Sequence, residues 1–268
     1  MNFDRITIGS LLFIIVLSTT LSAFSADEPV RENRFSFSIR YLGMRIAEVE
    51  LTDNFEENIG RILIEARSVS VGNIVFRIEN TYTVLYRHDF LPDSYIKSIR
   101  QKNFSQERSV IFNQSERRIV TITDGKRRDY QIEDMQEVRD FFSALLYLRE
   151  TIQPEHLPEL LVYANNNIWL VEVAYLTRDR VAKRDAYQYL LRFKQLSNNK
   201  RERADVLTNN IIKEESTLQL WISSDEEKLL LKAEYVSSPF SVFWSLEDYQ
   251  LSKKNVTPAA SGENEAKE

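Results

Sequence analysis

The side chains best suited to chemistry in this sequence are its two histidines, His88 and His156, because imidazole is the commonest general base and a common metal ligand. Neither has a second His or a Glu at ligand spacing such as i, i+4. His88 lies in Tyr86-Arg-His-Asp-Phe90 at the end of a strand pattern, and His156 lies between Pro154 and Pro158. Both are read as surface or loop residues. His88-Asp89 with Ser94 has the composition of a hydrolytic triad, but no nucleophile elbow or glycine-rich oxyanion turn accompanies it. The adjacent acids Glu56-Glu57, Glu214-Glu215 and Glu226-Glu227 point in different directions in a strand or turn, so they read as solvated turns. There is no cysteine, which excludes disulfides, a thiolate nucleophile, cysteine-based zinc or iron–sulfur sites and a lipidated cysteine. The six glycines are scattered and form no phosphate-cradling loop. The expectation is a non-enzymatic chain with no catalytic residue, no metal site and no cofactor.

Two other groups of residues bear on binding. Lys126, Arg127 and Arg128, with Arg117 and Arg118, flank Asp124-Gly125 and make a basic hairpin tip. Such a tip is either a solvated turn or a contact for anionic lipid headgroups or an acidic partner, which would allow peripheral membrane contact. The aromatic residues Tyr82, Tyr86, Tyr187, Tyr189, Phe193, Trp221 and Trp244 lie on alternating faces. They form core, or they line an apolar space suited to an acyl chain where one curved sheet and one helix leave it unfilled. A formal charge of -5 over 268 residues lacks the electrostatic footprint of a dedicated nucleic-acid binder.

The elements that must position these residues are mainly strands. Phe35, Phe37, Ile39 and Tyr41 alternate with polar residues. The longest alternation runs Ile74, Phe76, Ile78, Tyr82, Val84, Tyr86, with Asn80 interrupting the apolar face. A half-buried strand gives this period of two, and one of that length spans roughly 40 Å, which favours a curved sheet. The pattern recurs at 168–176, 187–193, 218–222 and 229–235, separated by Asp124-Gly125, Asn165-Asn166-Asn167, Asn198-Asn199 and Ser223-Ser224-Asp225; Asp-Gly between strands predicts a type I′ hairpin. One segment has helical spacing: Asp134 and Glu137 match a capping box, and Met135, Val138, Phe141, Phe142, Leu145, Leu146 and Leu148 follow before Pro154. A helix over about 134–150, packed into the concave side of the sheet, is expected. The predicted fold class is mainly β with one packed helix: a long antiparallel curved sheet or open half-barrel.

At the N-terminus, Arg5 precedes an apolar run from Ile6 to Leu21 that closes with Ser22-Ala23-Phe24-Ser25-Ala26. This is the pattern of a secretory signal peptide cut after Ser25; an uncleaved anchor is the rival reading, since the run approaches bilayer length. The expected organisation is a signal peptide at 1–25, a leader at 26–33, one β-rich domain at 34–252 and a disordered tail at 253–268, with the mature domain periplasmic.

Three stretches in order resemble the exported bacterial family known as domain of unknown function 3108: Tyr41-Leu-Gly-Met-Arg-Ile-Ala-Glu-Val-Glu-Leu51, the segment Asp134 to Arg149 with Ser143-Ala-Leu-Leu-Tyr-Leu-Arg149 at its core, and Leu218-Gln-Leu-Trp221-Ile-Ser-Ser-Asp225 followed by Leu229 to Tyr235. Leu91-Pro92-Asp93-Ser94-Tyr95 adds a weaker fourth. The chain departs from the family pattern at Ala47, at Leu229-Leu230-Leu231 and at Ser237-Ser238-Pro239. The resemblance implies export, a mainly antiparallel β-fold and no assigned activity; by fold analogy, an architecture similar to periplasmic lipoprotein carriers is expected. The expected function is a non-enzymatic envelope protein that binds a lipid-like or hydrophobic ligand in the concavity of its sheet; the alternative is a structural or regulatory module that docks an envelope protein partner.

Overall fold

A computed structural model describes residues 31–252, apart from 57, 70–76, 103, 132–136, 203–204, 206, 209–210, 215 and 237–240. The signal and tail segments, Ile74, Phe76 and the proposed cap Asp134 lie outside the described residues.

Among the described residues, strand alternation builds one sheet of fifteen strands. Its first half comprises β1 (Arg31–Tyr41), β2 (Met44–Glu56), β3 (Ile59–Ser68), β4 (Glu79–Arg87), β5 (Pro92–Gln101), β6 (Phe104–Asn113), β7 (Arg118–Thr123) and β8 (Lys126–Gln131). The second half comprises β9 (Val138–Asp140), β10 (Leu160–Ala164), β11 (Asn167–Val181), β12 (Arg184–Gln195), β13 (Thr217–Ser223), β14 (Leu230–Val236) and β15 (Val242–Gln250). The order runs β8-β7-β6-β5-β4-β3-β2-β1-β15-β14-β13-β12-β11-β10-β9, so the first and last strands of the chain meet in the middle and the ends are the free edges β8 and β9. β1 pairs with β15 antiparallel, and β9 pairs with β10 parallel. Residues 31–33, expected in the leader, are already strand and pair with Asp53 to Phe55.

The alternation has the expected physical consequence. In β4, Tyr82, Val84 and Tyr86 are buried, and Asn80, which interrupted the apolar face in the sequence, is buried with them. Its side chain donates to the Tyr82 hydroxyl and accepts the Arg100 N–H, so a polar group sits on the inner face without losing its partners. The Asp124-Gly125 turn is the expected hairpin: both residues are left-handed, at φ 49° and 76°. Gly60 in β3 is required for another reason. The Tyr86 ring from β4 lies over it, and a Cβ there would stand 2.0 Å from the ring.

The helix α1 (Phe141–Thr151) is shorter than the spacing predicted. Val138 to Asp140 form a strand, and Asp140, not Asp134, is the cap: its carboxylate accepts the N–H groups of Phe142 and Ser143. Val138 fits the helical period in sequence, but its backbone pairs with Leu161 of β10 instead. α1 lies inside the curl of the sheet, with Phe141, Phe142, Ala144, Leu146 and Leu148 all buried.

The curl stops short of strand-to-strand closure. Its ends are tied by side chains. Gln114, in the turn before β7, donates to the Val138 carbonyl (2.8 Å) and accepts the Val138 N–H (3.3 Å), so its amide stands in for a neighbouring strand. Arg139 donates to the Asp89 carbonyl, and Arg108 of β6 donates to the Tyr163 hydroxyl of β10 at 2.8 Å.

Candidate ligand cleft and buried charged cluster

The concave face divides into two regions. The first is an apolar cleft between α1 and the central strands. Phe35 and Phe37 of β1, Val49 and Leu51 of β2, Ile64 of β3, Leu220 and Ile222 of β13, Leu230 of β14 and Trp244 of β15 form the sheet wall. Phe142, Leu145, Leu146 and Arg149 of α1 form the other. The free space is narrow, about 60 Å³, room for roughly four to six waters. Arg149 is the charged residue of the lining. Its side chain is 10% exposed and pairs with Glu150 at 3.1 Å; the guanidinium lies 5.2 Å from the Phe35 ring centroid. Its Nε has no acceptor among the described residues. Burial lowers its pKa from the ordinary value, with Glu150 and Asp53 opposing, yet an arginine keeps its charge.

The second region lies under the connection from Leu196 to Ser216, which leaves the sheet after β12 and packs Leu207, Ile211 and Ile212 into the interior. This connection carries Glu202 and Asp205 to meet two cations on the opposite strands. Lys97 of β5 bridges Glu202 at 2.6 Å and Asp205 at 3.2 Å, and Arg108 reaches Glu202 at 3.2 Å; every one of these side chains is 4% exposed or less. Asp205 also accepts the N–H groups of Leu207 and Thr208, the Thr208 hydroxyl and the Tyr82 hydroxyl. Burial raises its carboxyl, but Lys97 and the Thr208 bonds outweigh burial and hold it below the usual range. Burial pushes the Tyr82 and Tyr95 phenols well above theirs, and the Asp205 charge adds to it. Both are therefore neutral, and Tyr82 donates to Asp205. The Asn165-Asn166-Asn167 turn anchors the same connection: Asn167 accepts the Asn199 N–H at 2.6 Å, and Asn166 donates to the Lys200 carbonyl.

Neither Lys97 nor Arg108 belongs to a motif in the sequence, although the strand period carries a signal for both. Tyr95, Lys97 and Ile99 share the inner face of β5, and Arg108, Val110 and Phe112 share that of β6. A cation in phase with buried residues demands a buried partner.

His88 and His156 are both exposed, in the turn after β4 and in the loop after α1. The Asp89 carboxylate is occupied by the Leu91 N–H and by Arg87, so the structure assembles no triad with it. Among the described residues, no group of three or more His, Cys, Asp or Glu could hold a metal, and no helix is long and apolar enough to cross a membrane. Glu57 and Glu215 lie outside the described residues; Glu227 binds Arg184 and the Tyr249 hydroxyl. The basic hairpin is split by its own period of two. Arg127 pairs with Asp129 at 3.0 Å, whereas Lys126 and Arg128 border a cavity of about 260 Å³.

Among the described residues, an unclosed and almost wholly antiparallel sheet curled round one helix, with an apolar cleft beneath it, defines a β-barrel-like fold. The family model described as "Protein of unknown function (DUF3108)" matches residues 36–240, and the chain belongs to that family. Among solved structures, the beta-barrel-like protein of domain of unknown function DUF1849 from Brucella abortus is similar in fold, with TM-score 0.51 and 7% identity over 85% of this chain and 100% of that one. A DUF1329 family protein from Desulfovibrio piger aligns over 88% of this chain and 89% of that one, at 8% identity, but its TM-score of 0.20 supports no shared fold. No curated protein matches the sequence.

Proposed function

We propose that the protein is a non-enzymatic binding protein of the bacterial envelope, exported by its N-terminal segment, which holds a hydrophobic ligand between α1 and the central strands. The observation that carries this reading is the cleft lining: apolar side chains from both walls, interrupted by the one guanidinium of Arg149. An apolar wall with a single charge fits an acyl chain bearing an anionic head. The present width admits a short or thin chain, and a longer one requires α1 to shift outward. Native mass spectrometry of protein purified from a membrane-containing host tests the reading. A co-purifying lipid that is lost in Leu145→Trp, where a half-buried cleft residue is enlarged, supports it. A preparation that is empty, and that stays empty when offered fatty acid or phospholipid, overturns it.

A second reading rests on the sheet edge. β8 ends the sheet and carries exposed Lys126 and Arg128, so an envelope protein partner with an acidic strand could extend it. An empty, solid interior would favour that module.

A further inference from the structure

Beside the buried charged cluster is a second cavity, walled by the β7–β8 hairpin and by the connection after β12. Its lining includes the cations Arg108, Lys126, Arg128, Lys200 and Arg201 against the acids Asp124 and Glu202. Both acids are already engaged. Asp124 accepts the Glu107 N–H of the neighbouring β6, and Glu202 is held by Lys97 and Arg108. Among the described residues Lys126, Arg128 and Lys200 form no ion pair with any carboxylate, in contrast to Arg127 and Arg118 on the same hairpin, which pair with Asp129 and Glu116. Arg201 is turned toward Gln195 and the Trp169 ring. Unneutralised cations thus gather at one concavity in a chain whose net charge is -5. The remaining lining is polar: Gln106, Thr123 and Asn166. Two atoms of the lining, Arg108 Nε and Gln106 Oε1, have no hydrogen-bond partner among the described residues.

We propose that this cavity is an anion site for a phosphate monoester, with Arg128 presenting its planar fork and Lys126 and Lys200 supplying point charges. A guanidinium offers paired donors to phosphate oxygens, and ammonium groups add charge without demanding geometry. The cavity volume of about 260 Å³ suits a compact group such as a phosphorylated sugar or a lipid phosphate headgroup. Thr123 and Asn166 accept hydrogen bonds from the Arg108 guanidinium, and Asn166 also donates to the Lys200 carbonyl, so both fix the cationic wall. This site is separate from the apolar cleft and does not depend on it.

The test is calorimetric titration of the intact mature protein with inorganic phosphate and with a hexose phosphate, beside co-sedimentation with phosphatidylcholine vesicles with and without phosphatidic acid. Binding in either arm is expected to weaken roughly tenfold in Arg128→Gln and in Lys200→Gln, and to fall as salt rises. Both residues are exposed, so the variants are expected to fold, and circular dichroism checks this. Arg45→Gln, whose partner is Glu48, serves as a control of equal charge loss. Binding of the soluble phosphates identifies a free ligand, and binding of the phosphatidic acid vesicles alone identifies a headgroup. No binding in either arm, or binding that Arg45→Gln weakens as much as Arg128→Gln, overturns the proposal.

Discussion

Between α1 and the strands β13 to β15 and β1 to β3, the concave face is filled by aliphatic and aromatic side chains and keeps a thin unfilled cleft. Between β4 to β7 and β10, the same face instead carries Lys97, Arg108, Glu202 and Asp205, each with its partners. The two regions solve different problems. Apolar packing is tolerant of shape and can leave space, so it suits a place that receives a ligand. Buried ion pairs are intolerant: each charge needs its partner in place or it destabilises the fold. They suit the place where the sheet's two ends must be held without strand pairing. The charged region ties β5 and β6 to the connection after β12, and the apolar region is where the proposed ligand would lie.

Breaking the charged region has the largest expected effect. Lys97→Met strands Asp205 and part of Glu202 in the interior and is expected to lower unfolding free energy by about 3–5 kcal/mol, read as a lower urea midpoint. An unchanged midpoint would remove the tie from the account.

The junction between the regions sharpens the comparison through pH. Burial raises the Asp140 carboxyl to about 6, although the Ser143 and Phe142 bonds oppose it. A raised carboxylate favours the fold while protonated, so this contribution is complete below about pH 4 and is lost as pH rises through 6. At pH 8 the loss is at most about 3 kcal/mol, taking 1.36 kcal/mol per unit. Asparagine caps a helix as well as aspartate does. Asp140→Asn is thus expected to be more stable than wild type at pH 8 and close to it at pH 4.5, by urea denaturation at both. A variant less stable at pH 8 would show that the charged form is the one the helix needs. Asp205 has the opposite sign, because its stabilisation is present above the ordinary carboxylate range and is lost as pH falls below it.

Leu146→Ala in the apolar region is expected to cost roughly 2–3 kcal/mol, near the lower end for a buried leucine, because the residue already borders open space. It also widens the cleft, so uptake of a hydrophobic probe should increase; reduced uptake would count against the cleft. The smallest effect is expected outside both regions. The pair Arg45–Glu48 is 43% and 46% exposed, and Arg45→Met is expected to shift stability by less than about 1 kcal/mol in thermal melts.

Much of this division was legible in the residues. The period of two placed Phe35, Phe37, Tyr82, Val84 and Tyr86 on the inner face, and the wide apolar stripe of 141–148 put a helix inside the sheet. The start of that helix was not legible, since Val138, Phe141, Phe142 and Leu145 fit a helical period whether or not the first of them is strand. Only the parallel pairing with β10 decides it. The charged cluster was missed because half of it lies in the connection from Leu196 to Ser216, which has no period to read. The residues just before its acids, Asn199 and Lys200, are anchored by tertiary contacts with the Asn165 to Asn167 turn.

Titration of a fluorescent acyl probe into wild type, Leu145→Trp and Lys97→Met, at a temperature where all remain folded, separates the two regions most directly. Wild type and Lys97→Met are expected to bind the probe with similar affinity, and Leu145→Trp to lose it. Binding that survives in Leu145→Trp but disappears in Lys97→Met would place the ligand in the charged half and contradict the assignment.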